Sequence, residues 1–182
     1  AIPLSDLALL TNAKGEPNMR SQLQRELQSA DRVDILMAFV MKQGVALISE
    51  QLSMLRDRGV PVRLLTGVYR GATDKDAVDI LVRDFGVEVK INYETHSNHL
   101  HAKAWLIHRD SGFSTAFVGS SNLSKSAFID GMEWNVRLSA RRSPHILEKF
   151  ETEFNSHWEN ESYRAYDPET NGGEFALALS QA

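Results

Sequence analysis

Short apolar runs alternate with apolar stripes at helical spacing through the first half of the chain, and this rhythm limits the fold more than any other feature. Met19, Leu23 and Leu27 recur every four residues between Asn18 and Ala30, one face of a helix with Asn18 as its cap. Val33 to Met41 is the nearly continuous apolar run that a strand buried on both faces requires. A second helical stripe, Val45, Ile48, Leu52 and Leu55, closes at Gly59 just before Pro61. Val62 to Leu65 is the next strand. Thr73, with Asp76 three residues on, opens a third helix that carries Ala77, Ile80 and Leu81 toward Gly86, and Val87 to Tyr93 is a further strand. Strands and helices alternating at these lengths predict right-handed crossovers and an α/β fold, a largely parallel sheet covered on both faces.

After Tyr93 the rhythm changes. His101 to His108 and Phe113 to Ser120 flank Arg109-Asp110-Ser111-Gly112 and predict an antiparallel hairpin, and Met132 to Leu138 alternates as another strand. Ser143-Pro144 opens a last helix with Ile146, Phe150, Phe154 and Trp158 along one face. Residues 161–182, with Pro168 and Asn171-Gly172-Gly173, read as a tail or linker, so the folded domain is expected to span residues 1–160.

Composition narrows the chemistry. The 182 residues suit one domain, and with no cysteine the chain has no thiol nucleophile, thiolate zinc finger, iron–sulfur cluster or disulfide scaffold. Its net charge of −4 gives no global basic field, so nucleic acid would need a local patch, for which Lys125, Arg137, Arg141 and Arg142 are the candidates. No apolar run approaches the roughly 20 residues of a membrane helix, and none resembles a signal peptide, so a cytoplasmic protein is expected. The chain opens on Ala1 rather than Met, which suggests a part of a longer protein.

The most informative segment is His99-Leu100-His101-Ala102-Lys103-Ala104-Trp105-Leu106-Ile107-His108. Strand alternation places Leu100, Ala102, Ala104 and Leu106 on one face and His99, His101 and Lys103 on the other, with imidazole and ammonium side by side. A symmetric hairpin would set His101 opposite Ser120 and Lys103 opposite Val118, so Gly119-Ser120-Ser121-Asn122 ends beside the histidine. Those residues supply a hydroxyl, a carboxamide and backbone N–H groups for a phosphate-like oxyanion. Farther on, Glu133 shares a face with Asn135 and Arg137, while Met132, Trp134 and Val136 form the apolar face; a carboxylate there could hold the tautomer of an acid–base histidine.

His101-x-Lys103, then Gly119-Ser120-x-Asn122, then Glu133 resembles the phospholipase D superfamily. More closely, the block from His101 through Arg137 is similar to the phospholipase D-like nuclease domain at the amino terminus of bacterial helicase-like proteins of the DEAD/DEAH class, and the Leu65-Thr66 to Thr73-Asp74 segment fits that subgroup. The resemblance covers most of residues 18 to 160 in element order. It implies a phospholipase D-like mixed, mostly parallel sheet flanked by helices, and a phosphodiesterase or nuclease of a helicase-like or restriction/defence-type protein. It also implies that His101 forms a phosphohistidine, that Lys103, Ser120 and Asn122 bind the phosphoryl oxygens, and that Glu133 orients His101. Such enzymes use two histidines, and one motif is present, so a homodimer completing the site is expected, with DNA as substrate, linked helicase domains as partners, and no metal or other cofactor. One position departs from the pattern: the aspartate expected five residues after the lysine is His108, and the nearby Asp110 falls in the hairpin loop.

Other readings stay beside this one. His96, His99, His101 and His108 could hold a metal, although a lysine among them would repel it; His99 could instead be a polar group near the substrate. Tyr69 could stack on a base and Arg70 contact a phosphate from the loop after Val62 to Leu65, where α/β ligands bind. That loop lacks the lysine and hydroxyl of a phosphate-cradling nucleotide motif. Trp105, Trp134 and Trp158 suit core or dimer packing. The competing functions are a catalytically silent DNA-binding and dimerisation module, which the His108 departure favours, and a lipid phosphodiesterase, for which no amphipathic membrane helix is visible.

Overall fold

The computed structural model describes residues 2–95, 100–129 and 131–182. Their strands are β1 (Ala8–Leu10), β2 (Arg32–Leu36), β3 (Val62–Gly67), β4 (Glu88–Asn92), β5 (Ala104–His108), β6 (Thr115–Gly119), β7 (Asn135–Ser139) and β8 (Tyr163–Tyr166). The α-helices are α1 (Met19–Glu26), α2 (Lys42–Leu47), α3 (Ser49–Asp57), α4 (Lys75–Phe85), α5 (Lys125–Phe128), α6 (Pro144–Trp158) and α7 (Pro168–Gln181). The strands form one mixed sheet in the order β1-β7-β6-β5-β2-β3-β4-β8.

The α/β class and the mixed sheet with helices on both faces hold, but the parallel part is smaller than the early rhythm implies. Only β2–β3 and β3–β4 pair in parallel among the described strands; the other pairs are antiparallel. β5 starts at the edge where β2 ends, with Ala104 opposite Leu36, and therefore runs back down. β6 and β7 then each pair antiparallel with the strand before, the first through a short hairpin and the second through a connection that carries α5.

Alternation along the strands splits the core. Val33, Ile35, Leu64, Ile91, Trp105, Ile107 and Phe117 point into the large cluster shared with Leu23, Leu52, Leu55, Val78, Leu81 and Phe175 of the helices. Leu36, Leu65, Leu106, Ala116 and Leu138 point the other way, onto Leu147, Phe150, Phe154 and Trp158 of α6. Fully burying each of those α6 aromatics is worth about 1.5–3 kcal/mol. Arg63 lies over the Phe154 and Trp158 rings at 4.8 and 5.1 Å, which orders its guanidinium toward Asp34 at 2.7 Å.

Three local expectations change. The Val33 to Met41 run leaves the sheet at Leu36, and its second half forms a loop whose Val40 bridges Leu123. Thr73 is no helix cap: its hydroxyl accepts the Val40 N–H at 3.2 Å, Asp74 is the N-cap residue of α4, and the Asp74 carboxylate accepts the Lys42 N–H at 2.9 Å. Most importantly, 161–182 is no linker. β8 completes the sheet beside β4, and α7 starts on an Asp167-Pro168 cap and buries Phe175 edge-on against Tyr166, with ring centroids 4.9 Å apart. The Asn171-Gly172-Gly173 stretch lies inside this helix, with Gly172 buried beside Lys75 and Tyr166.

Candidate active site

The carboxyl ends of β2 and β3, the start of β5 and the end of β6 meet along one edge of the sheet, and the chemistry-bearing residues gather there. His101 is exposed just before β5. Lys103, half-buried beside it, places Nζ 3.3 Å from His101 Nδ1 and donates to the His101 carbonyl oxygen at 2.9 Å. Burial pushes the Lys103 ammonium below the ordinary lysine value, and the negative charge of Glu133 opposes that shift. Glu133 thus belongs to the same electrostatic site, although among the described residues its carboxylate makes no hydrogen bond to the imidazole. Its backbone is set by the turn before β7, with Glu133 N–H donating to Gly131 O at 2.8 Å.

The hairpin register differs from the symmetric expectation by one residue: Ala104, not Lys103, lies opposite Val118. The cause is the loop, where Arg109 turns inward. Its backbone N–H donates to Ser114 Oγ, and its guanidinium donates to Phe113 O and Thr115 Oγ1. A one-residue slip turns facing side chains over. Lys103 O therefore accepts the Gly119 N–H at 3.2 Å, and Ser120 is turned to the rim, where its hydroxyl accepts the Trp134 N–H at 3.1 Å. Gly119 has a steric cause: a Cβ there would collide with Trp134 O and lie 2.6 Å from Asn135 Cα, so this close crossing of β6 and β7 admits only glycine.

Asn122 is anchored rather than free. Its Oδ1 accepts the Phe39 N–H at 3.0 Å, which leaves its NH2 group as a fixed donor. Phe39 stacks on Tyr69, with centroids 6.4 Å apart and planes within 5°, and Tyr69 meets His101 edge-on at 6.1 Å. Asn122, Phe39, Tyr69 and His101 thus form a continuous chain of contacts. The Tyr69 loop is held at unusual cost: Arg70 has φ 57°, a conformation worth roughly 1–2 kcal/mol of strain in a non-glycine residue, and its guanidinium lies 5.2 Å from the Tyr69 ring centre. Behind it Gly71, with φ 58°, packs so tightly on α7 that a Cβ would strike Leu179 O. The segment expected to be a linker therefore supports the site.

His99 lies outside the described residues, as does His96, and with them the histidine metal-cluster alternative. Phe39 escaped the sequence reading because it sits inside an apolar run that passes for strand. The expected basic patch also changes, since Arg137 is fully buried, ion-paired with Glu26 at 3.0 Å and donating to Pro3 O. Trp105 and Trp158 are core, whereas Trp134 is 61% exposed. With Met132, Val118, Val136 and Leu9 it forms an apolar surface; Leu9, Val136 and Val118 lie in register across three strands.

His108 stands at the opposite end of β5, about 16 Å from Lys103 at the rise of a strand. There its Nε2 lies 2.9 Å from Asp34 Oδ2, within a cluster that includes Arg32, Arg63 and Glu151. Position 108 thus has no contact with the reacting edge.

A family model described as "Cardiolipin synthase, PLD-like domain" matches residues 23–158. The chain belongs to this PLD-like family. Among solved structures, the PLD-like domain is similar to the phospholipase D family member Nuc from Salmonella typhimurium, with 19% identity, TM-score 0.66, and 88% of this chain and 97% of that one covered. NucT from Helicobacter pylori gives 18% identity and TM-score 0.66 over 88% and 99% of the two chains. A phosphatidylserine synthase from Haemophilus influenzae gives 10% identity and TM-score 0.59, covering 96% of this chain and 44% of that one. These likenesses establish a shared fold. No curated protein sequence matches the chain. No helix among the described residues is long and apolar enough to cross a membrane.

Proposed function

We propose that this PLD-like domain is a phosphodiesterase that cleaves DNA through a phosphohistidine, without a metal, as a two-fold homodimer. The observation that carries the reading is the pairing of an exposed His101 with a partly desolvated Lys103 at the ligand-binding edge of the sheet. A phosphoryl oxygen entering the site draws the Lys103 ammonium off Nδ1. The ring proton then shifts through solvent from Nε2 to Nδ1, Nδ1–H donates to a carboxylate, the role this reading gives to Glu133, and Nε2 is left as the nucleophile. Nε2 attacks phosphorus, the bond from phosphorus to the leaving oxygen breaks, and that oxygen takes a proton from His101 of the partner subunit. Water gives a proton back to that second imidazole, attacks phosphorus and breaks the P–N bond. The Asn122 amide and Lys103 stabilise the added negative charge at phosphorus.

The apolar surface around Trp134 supports the homodimer, because it adjoins the site through the Ser120–Trp134 hydrogen bonds and has the character of an interface core. DNA fits a net-acidic chain through local charge. Lys42 and Lys125, with Asp74 as the one carboxylate, line a cleft of about 690 Å³ in which a phosphate backbone could be held. A PLD-like module of this size is suited to act within a longer helicase-like or restriction/defence-type protein in the cytoplasm. The His108 departure does not weaken the reading, since it lies at the far end of the strand. Cleavage of DNA in the presence of chelator, lost in His101→Ala, is the expected result; undiminished cleavage by the variant contradicts it.

A silent DNA-binding and dimerisation module is favoured by one observation: in the single chain His101 Nδ1 faces an ammonium rather than a carboxylate. DNA binding with no cleavage of any substrate would establish it.

A further inference from the structure

A second cleft, of about 450 Å³, opens directly at His101 and extends to the far edge of the sheet. Asn92 and Glu94 at the end of β4 line it, with His157 and Asn160 at the end of α6 and Ser162 and Tyr163 at the start of β8. Its described lining contains one carboxylate and no lysine or arginine, which disfavours a phosphate and favours a neutral group rich in hydrogen-bond donors. Its polar atoms are pre-set. Asn160 Oδ1 accepts the Ser162 N–H at 2.8 Å, which leaves the Asn160 NH2 group to donate. Asn92 Oδ1 accepts the Glu94 N–H at 2.9 Å and so positions the segment that carries the carboxylate. The His157 and Tyr163 rings, 5.8 Å apart and tilted by 54° to each other, give the cleft an aromatic wall. Burial raises the Tyr163 phenol, an effect the Asn92 amide partly offsets, so the hydroxyl stays protonated at neutral pH.

We propose that this cleft receives an unpaired, amino-bearing nucleobase next to the scissile phosphate. The inference rests on the phosphodiesterase reading of His101 and extends it to the substrate. A ring wall, a fixed amide donor and a carboxylate acceptor match a base with a ring acceptor and an exocyclic amino group, as in cytosine; thymine offers no amino group to Glu94. A base stacked in a duplex reaches such a cleft only after extrusion, which costs a few kcal/mol, so single strands are the favoured ligands.

Fluorescence anisotropy with a short single-stranded oligodeoxycytidylate, the matching oligothymidylate and a duplex tests this on the intact chain. The expected result is tighter binding of the cytidylate than of the thymidylate by roughly tenfold, the scale of one charge-assisted hydrogen bond, and weaker binding of the duplex. Glu94→Gln brings the two single strands to similar affinity, and His157→Ala weakens both alike. Equal affinities in the wild type, a preference that survives Glu94→Gln, or duplex binding as tight as single-strand binding overturns the proposal. So does displacement of the oligonucleotides by a phosphocholine diester at lower concentration than by free cytidylate. Hydrolysis of bis(p-nitrophenyl) phosphate, which carries no base, reports the His101 chemistry separately. Its absence counts against the phosphodiesterase reading while the anisotropy ratios still decide the cleft.

Discussion

Lys103 Nζ stands 3.3 Å from His101 Nδ1, with the ammonium also bonded to the carbonyl oxygen of that histidine. An ammonium is only a donor, so in the free chain it occupies the ring nitrogen that must become a donor when Nε2 attacks. In the proposed reaction, substrate binding and tautomer selection are therefore one event, because an entering phosphoryl oxygen would take Lys103 away from the ring and free Nδ1 to donate.

Under the proposed mechanism the same lysine is expected to set the alkaline limit of activity. Burial lowers the Lys103 pKa below 10.5, so the charged form that holds the phosphoryl group disappears at a lower pH than for a free lysine. Glu133 raises it, so Glu133→Gln moves the alkaline limb of the rate profile further down as well as lowering the rate. A pH series of kcat/KM on a small phosphodiester reads both effects; an alkaline limb unmoved by the substitution contradicts the coupling.

The apolar surface of Leu9, Val118, Val136, Met132 and Trp134 gives a second prediction. Trp134→Glu places a charge in the proposed interface without disturbing the core, because Trp134 is 61% exposed. Sedimentation is expected to show a dimer for the wild type and a folded monomer for the variant. Phosphodiesterase activity should fall by roughly 10²-fold or more, since the proton donor is lost with the partner. A monomeric wild type with full activity would exclude a shared site.

Asn122→Ala removes the acceptor of the Phe39 N–H and the amide donor proposed to hold the phosphoryl group. The expected cost is about 1 kcal/mol in stability and roughly 10²–10³ in kcat, the scale of one lost oxyanion donor. Urea unfolding and steady-state rates separate the two. Loss of activity proportional to loss of folded protein would make the residue purely structural.

Residues 161–182 belong to the fold, so Phe175→Ala should destabilise the chain by about 3–5 kcal/mol, the range for a buried aromatic truncation. It should also loosen the Tyr69 loop, which packs on the end of α7 through Gly71. Urea denaturation measures the first, and hydrogen exchange in the 69–71 segment the second. An unchanged midpoint would restore the linker reading.

The sequence made the central strands legible because their apolar runs are short and bounded, and its two-residue spacing pointed to His101 and Lys103 as neighbours, although the strand expected from His101 begins only at Ala104. It failed where tertiary contacts override local pattern. The Arg109 side chain fills the hairpin loop and shifts the register that places Ser120. The Asn171-Gly172-Gly173 stretch passes for a linker although it runs through α7, whose Phe175 is buried in the core. Phe39 and Asn122 meet across more than eighty residues of chain, a hydrogen bond that no periodicity announces. Asp167-Pro168, a sound helix start, was the signal available for α7.

Acid stability should depend on Asp34. Burial alone would raise its carboxyl, but the hydrogen bonds from His108 and Arg63 outweigh it and hold the pKa below the ordinary value. A depressed carboxyl stabilises the fold above its unfolded pKa, and that contribution fades as the pH falls through the lower folded value, below about pH 4. Asp34→Asn should cost about 3–5 kcal/mol at neutral pH, because Arg63 and Arg32 lose a buried counter-charge, and should flatten the acid limb. Thermal unfolding followed from neutral to acid pH checks the sign.

The most direct measurement is the mass of the protein after an acid-free quench of a reaction with a short DNA strand in chelator. The account predicts a transient adduct carrying one cleaved strand on the peptide that contains His101, absent from His101→Ala. Cleavage that proceeds with no such adduct, or an adduct on another residue, would contradict it.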